Sequence, residues 1–320
     1  MSSSMKKITI LSIALLGAFA WTGCVKDAFV EKDPSGPVLS ARKDSVWTLT
    51  VKAVRADSPL TRGLAIGDAE EEATTTTLKS VWTGEDAVKV YLGTELIGTL
   101  EVVPDGDPHT ATLVGTVTIS DVTPGSTRLT FLTPRETIEY TGQKGHLLPA
   151  YGRSYPIESY FHYTIATGVL VTDVYASNIT TEKATFVPMQ SIYRMSFRFQ
   201  DGGVGDKTSI TAKSVNISGA AGRLVRSQTV DGTSVTEGDI PVLLQTPTSN
   251  PFFVALRNGD ETNAEVFTFT VVDEDGATYK GTKTIPASDK PNGKFVSMKN
   301  ATLTSRLDIP VLPDTKDTVL

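Results

Sequence analysis

Apolar and polar residues alternate with a period of two along most of this chain, in short runs separated by glycine, proline, asparagine and aspartate. Val46 to Ala53 sets Trp47, Leu49, Val51 and Ala53 on one face, the pattern of a half-buried strand. Ala87–Tyr91 and Leu96–Val103 predict two paired strands with Gly93-Thr94-Glu95 as the turn. Thr112–Ile119 alternates around Val114-Gly115, and Arg128–Leu132 is a further strand ended by Thr133-Pro134. Residues 134–168 are richer in proline, glycine and tyrosine and read as a long loop excursion.

A second block of strands starts near Thr185. Ser191–Phe199 puts Tyr193, Met195, Phe197 and Phe199 on one face, with Ile192, Arg194 and Arg198 on the other. Thr211–Ile217, Arg223–Val225, Pro251–Leu256 and Val266–Val272 follow. Asp275-Gly276 then turns the chain into Thr278–Ile285, a hairpin signal, and Phe295–Met298 and Ala301–Val311 close the sequence. Beyond the first residues no long run has a 3.6-residue period. Short strands at regular spacing predict an all-β chain of antiparallel β-sandwich domains in tandem, 44–180 and 181–320.

The first residues follow a different pattern. Lys6 and Lys7 precede an uncharged apolar run, Ile8 to Ala20, shorter than the about 20 residues that a membrane-spanning helix needs. Trp21-Thr22-Gly23-Cys24 follows, so residues 1–23 read as a secretory signal peptide. The sequence has a single cysteine, which cannot close an intramolecular disulfide. Trp21–Cys24 resembles a lipobox, with Gly23 at the small position and Trp21 where leucine is usual. That resemblance implies a lipid on Cys24 and, with it, attachment to a membrane. Residues 24–43 are polar and proline-containing, a tether between lipid and first domain.

Charge and composition narrow the chemistry. The formal net charge is −6 and the basic residues are scattered, which argues against a nucleic-acid partner. His109, His146 and His162 share no ligand spacing, so no zinc site is read. Asp201–Thr208 is glycine-rich, but Asp206 separates Gly205 from Lys207 and a strand follows, so the segment reads as a hairpin turn rather than a phosphate loop. Glu70-Glu71-Glu72 with Asp68 reads as a solvated acidic loop, and Thr74–Thr77 as polar low-complexity sequence. Asp273–Gly276 lacks the spacing of a calcium loop. No nucleophile–histidine–acid set stands at motif spacing. Carboxylates distant in sequence leave two-carboxylate catalysis open, with nothing pointing to it. The expectation is a protein that is not an enzyme and takes no cofactor.

Arg55-Ala56-Asp57-Ser58-Pro59-Leu60-Thr61-Arg62-Gly63-Leu64-Ala65 reads as a basic, exposed linker suited to a trypsin-like protease. Together with the lipobox, the first strand and Val81-Trp82-Thr83-Gly84-Glu85-Asp86-Ala87-Val88-Lys89-Val90-Tyr91, it resembles the fimbrillins of Bacteroidetes, the type V pilins. Phe186–Phe197 is similar to the segment that opens their C-terminal domain, with Ser191 where alanine is usual. The resemblance implies two transthyretin-like β-sandwiches and a lipidated precursor on the outer-membrane surface. It implies an Arg-specific maturation protease that cuts after Arg62, leaves Gly63 as the new N-terminus and releases the first strand, 46–54. The vacated groove then takes a strand from another pilin subunit, and the fibre adheres to a host or bacterial surface.

Removing Trp47, Leu49 and Val51 would forfeit about 5–9 kcal/mol of apolar burial, which an incoming strand restores along with the backbone hydrogen bonds. A donor strand is read at 301–312, where Leu303, Leu307, Ile309 and Val311 share a face that Ser305 interrupts. The same residues also fit the last strand of their own domain. Two rival functions stand beside the pilin. One is a permanently anchored surface lipoprotein, as pilus base or adhesin. The other is a glycan-binding or hydrolytic sandwich using Tyr140, Tyr151, Tyr155, Tyr160 and Phe161.

Overall fold

The first alternating run is a strand, β1 (Ser45–Arg55), whose residues are buried at every second position from Leu49 to Arg55. The structure is a computed structural model; it describes residues 45–56, 62–63, 75–79, 82–145, 157–220, 223–259, 263–286 and 293–307. Next come β2 (Arg62–Gly63), β3 (Thr75–Lys79), β4 (Ala87–Leu92), β5 (Glu95–Pro104), β6 (Thr110–Ile119), β7 (Arg128–Thr133) and β8 (Ile138–Glu139). A one-turn helix, α1 (Ile157–Tyr160), precedes β9 (Thr164–Tyr175), β10 (Asn178–Thr181) and β11 (Ala184–Pro188).

Most of these strands form one eight-stranded sheet that closes on itself. Around the ring the order is β1–β11–β9–β7–β4–β5–β6 and back to β1, with β10 also bridging β1 and β9. β1 closes the ring: it runs antiparallel to β6 from Ser45↔Ile119 to Val54↔Thr110, and parallel to β10 and β11 on its other edge. The strands expected here as a β-sandwich are joined, through the β1–β6 pairing, into a single rolled, barrel-like sheet. Two glycines permit the roll. A Cβ on Gly115 would lie 2.7 Å from the Thr99 carbonyl oxygen, and one on Gly98 would meet the Thr116 carbonyl, so β5 and β6 approach too closely for side chains there. Leu49, Val51, Leu100, Leu113, Phe131 and Phe186 are among the residues that fill the interior.

The remaining strands are β12 (Ser191–Phe199), β13 (Thr208–Ser209), β14 (Ala212–Gly219), β15 (Val225–Gln228), β16 (Val235–Glu237), β17 (Ile240–Thr248), β18 (Phe252–Leu256), β19 (Glu265–Asp273), β20 (Thr278–Ile285), β21 (Lys294–Leu303) and β22 (Ser305–Leu307). One sheet runs β13–β12–β21–β3–β2, with β18 sharing the β13 edge of β12. A second runs β17–β14–β19–β20–β22, and a third, β16–β15–β8. Ile192 is as buried as Tyr193, so β12 has core on both faces over its first half, where a single apolar face was expected. The β12–β13 connection is a hairpin turn, as its sequence predicts.

Three segments without a clear strand alternation are ordered elements. Thr75–Lys79, which overlaps the polar tract Thr74–Thr77, pairs antiparallel with Phe295 and its neighbours. The excursion at 134–168 supplies β8, α1 and the start of β9, and β8 pairs with β15. β9 itself escapes the alternation test because Gly168 sits inside it at φ 68, where the pairing with β7 shifts register. Ile138, Tyr140, Ile157, Phe161 and Tyr163 belong to the same apolar cluster as Tyr193, Met195 and Phe267. Residues from before position 180 thus help build the second core, and all described residues belong to one compact unit.

Candidate functional site

The site is built around β1. Leu49 and Val51 are fully buried in the barrel and Ala53 nearly so. Trp47 is half-buried at the barrel mouth, where its indole N–H donates to the Ile119 carbonyl at 3.3 Å. On the outer face Lys52 Nζ donates to Thr112 Oγ1 at 2.7 Å. Both backbone edges of β1 are in the sheet. Its removal would leave a slot bordered by β6 and by β10–β11, lined with apolar side chains and two rows of open backbone groups.

The inward alternation of β1 ends on a charge. Arg55 occupies the core position after Ala53, with 8% of its side chain exposed. Its guanidinium stacks 3.9 Å from the centre of the Trp82 ring and lies 3.3 Å from Asp86 Oδ2. Burial pulls Arg55 down from the ordinary arginine value to about 10, and Asp86 acts in the opposite direction, so the group stays charged at neutral pH. The Asp86 carboxylate also accepts the Thr83 backbone N–H at 2.9 Å, and the Asp86 N–H donates back to the Thr83 carbonyl at 3.2 Å. Trp82 is anchored by its backbone N–H to the Pro108 carbonyl at 2.8 Å and by an edge-on contact with Phe186, ring centres 5.0 Å apart. His162 is buried within reach of the same charge. Burial first, and Arg55 second, push it down to about 3, so it is neutral.

Cys24 lies outside the described residues. Arg62 and Gly63 form β2, paired in parallel with Leu78 and Lys79 at the edge of a sheet, where an unpaired linker was expected. Arg55, read as part of that linker, is instead the buried end of β1. Leu303 is the last residue of β21, fully buried and paired with Phe199, whereas Leu307 is in β22, paired with Thr278 and more than half exposed. The two therefore sit in different sheets rather than on one shared face; Ile309 and Val311 lie outside the described residues. Of the aromatic set, Tyr140 and Phe161 are core, Tyr160 is partly exposed, and Tyr151 and Tyr155 lie outside the described residues. Tyr140 donates its hydroxyl to Gln190 Oε1 at 3.1 Å, which removes it from sugar stacking.

Arg55, Trp82, Asp86 and His162 are the residues that reading the sequence missed as a group. The signal for Arg55 was present, since it continues the i, i+2 series of Leu49, Val51 and Ala53. Nothing local ties it to Asp86. Among the described residues no cluster of three or more His, Cys, Asp or Glu side chains could hold a metal ion, and no helix is long and apolar enough to cross a membrane.

No family model and no curated protein matches the sequence. Solved structures do match. A candidate cell adhesion protein from Parabacteroides distasonis aligns over 84% of this chain and 92% of its own, at 13% identity and TM-score 0.36. One from Bacteroides eggerthii aligns over 81% and 86%, at 11% identity and TM-score 0.35. A fimbrial protein from Bacteroides ovatus aligns over 83% of this chain and 52% of its own, at 9% identity and TM-score 0.31. These neighbours are adhesion or fimbrial proteins rather than enzymes. At such scores the likeness carries no argument about what this chain does.

Proposed function

We propose that this chain is a fimbrillin-like structural subunit of the bacterial cell surface. It is made as a precursor lipidated on Cys24, cut after Arg62 and assembled with other subunits by strand exchange. In this reading the rolled sheet is the N-terminal domain. The strands from β12 onward form the C-terminal domain, which carries β2, β3 and β8 from the first half. The chain works at the outer-membrane surface, with other subunits, the maturation protease and a surface ligand as partners, and without cofactor or catalysis.

The observation that carries the reading is the place of β1. It is hydrogen-bonded on both edges, supplies core side chains to the barrel, and is joined to the rest of the fold through a segment containing Arg62. A cut after Arg62 would leave β1 held by non-covalent contacts alone, so a competing strand could take its slot. Arg62–Gly63 is extended and lies at a sheet edge, the backbone form that proteases bind.

A second reading rests on the same geometry. The pairing of Arg62–Gly63 with β3 occupies one edge of that segment, which favours a subunit that keeps its lipid, as a base or anchored adhesin. The N-terminal residue of the protein recovered from the cell surface separates the two. Gly63 supports the matured subunit; Cys24 carrying lipid in all of the surface protein overturns it in favour of the anchored form. Limited trypsin treatment of the purified chain is expected to cut after Arg62 with the barrel still folded, and nicking inside the barrel instead would count against maturation at this position.

A further inference from the structure

We propose that the barrel groove selects its strand through a cation seat formed by Trp82 and Asp86: the strand that replaces β1 carries an arginine or lysine two residues beyond a small apolar one, and is not the C-terminal run of a copy of this chain. The proposal rests on the strand-exchange reading above.

The seat belongs to the part of the fold that stays. Asp86 is held by the turn it makes with Thr83, and Trp82 by Pro108 and Phe186; none of these contacts involves β1. When β1 departs, a fixed carboxylate and a fixed indole remain at one end of an apolar slot. A strand with a neutral residue there would cover Asp86 without a counter-charge and leave the Trp82 face without a cation. The cation that Trp82 and Asp86 hold arrives on the strand, as Arg55 does on β1.

The chain's own C-terminal run does not meet this requirement. At the spacing of β1, Leu307, Ile309 and Val311 would take the places of Leu49, Val51 and Ala53, and Pro313 would fall on Trp82 and Asp86. Arg306 and Lys316 alternate onto the opposite face, among Asp308, Pro310 and Asp314. Proline also lacks the N–H that the ring position would use. In the structure, moreover, Leu303 is committed to its own core and β22 to β20.

The test uses the full-length chain nicked after Arg62 and incubated with an excess of fluorescent peptide. Uptake is read by size-exclusion chromatography. Four peptides are compared: residues 45–55, the same with Arg55→Lys, the same with Arg55→Gln, and residues 303–317. The first two are expected to enter, and the last two to be retained at least about tenfold less. Equal uptake of the Arg55→Gln peptide would overturn the seat. Uptake of the 303–317 peptide as strong as that of 45–55 would overturn the exclusion of the C-terminal run. If not even the 45–55 peptide enters, strand exchange itself is wrong, and the seat falls with it. In the Asp86→Asn protein the advantage of arginine over glutamine is expected to shrink; an unchanged advantage would show that Asp86 does not read the strand.

Discussion

The Arg55 guanidinium lies 3.9 Å over the centre of the Trp82 ring, at the buried end of the strand that closes the barrel. The contact ties the last inward residue of β1 to the turn that starts β4. It places a full charge where the alternation of β1 calls for an apolar residue, and Asp86 at 3.3 Å makes that placement tolerable. The first strand is therefore held by a polar clamp as well as by apolar packing.

Truncation inside β1 should weaken the whole barrel. Leu49 is fully buried and sits opposite Gly115, which has no side chain to reach into the space it leaves. Leu49→Ala is expected to cost about 2–5 kcal/mol, measured as a fall in the urea midpoint with an unchanged m-value. A loss under roughly 1 kcal/mol would mean that β1 is not part of the cooperative core.

The close approach of β5 and β6 gives a second prediction. Gly115→Ala would drive its Cβ toward the Thr99 carbonyl and Leu100. The strands would have to separate, at a cost of about 1–3 kcal/mol. The same denaturation experiment reads it, and a neutral result would show that the roll of the sheet does not depend on this contact.

Glu265 is the counterpart of Arg55 in the second core. It shares the inward face of β19 with Phe267, Phe269 and Val271, is fully buried, and pairs with Arg223 at 2.9 Å. Arg223→Ala strands that carboxylate and is expected to cost about 3 kcal/mol or more. The double variant Arg223→Ala with Glu265→Leu should recover much of the loss, because no buried charge remains. Equal instability of the single and double variants would refute this account of the pair.

His162 should make the fold sensitive to mild acid. The unfolded chain takes up a proton at this residue below its ordinary value of 6.5, whereas the folded chain resists until about 3. The contribution is thus fully present above 6.5 and is lost as pH falls from there toward 3. Between pH 6.5 and pH 5, where most carboxylates are still charged, the expected loss is about 2 kcal/mol. The neighbouring Arg55 charge acts in the same direction. His162→Gln should flatten the stability profile across that window, and an unchanged slope would assign it to other groups.

Much of the architecture was legible in the alternation. The strands at 87, 95, 110, 128, 265 and 278 fall within a residue or two of the positions that apolar periodicity and turn residues mark. β3 and β10 were not legible, because their residues are mostly threonine and other polar side chains whose pairing is supplied by distant strands. The clamp was half legible. Arg55 stands in register with Leu49, Val51 and Ala53, yet an arginine followed by Ala56-Asp57-Ser58-Pro59 reads as the start of a linker when no partner is in view.

What the sequence determined by itself is local: strand positions, the inward face of β1, and a signal-like first segment ending at a lone cysteine. These depend on residues two apart or adjacent, so a linear reading captures them. The tertiary structure decided how the faces are used. It rolled the first sheet into a ring because two glycines let β5 and β6 meet closely, it sent residues 138–163 to the second core, and it parted Leu303 from Leu307. It also brought Asp86 to Arg55 across 31 residues. The physical reason is that burying a charge is set by the group it meets in space, and that group is chosen by how strands pair, not by their order along the chain.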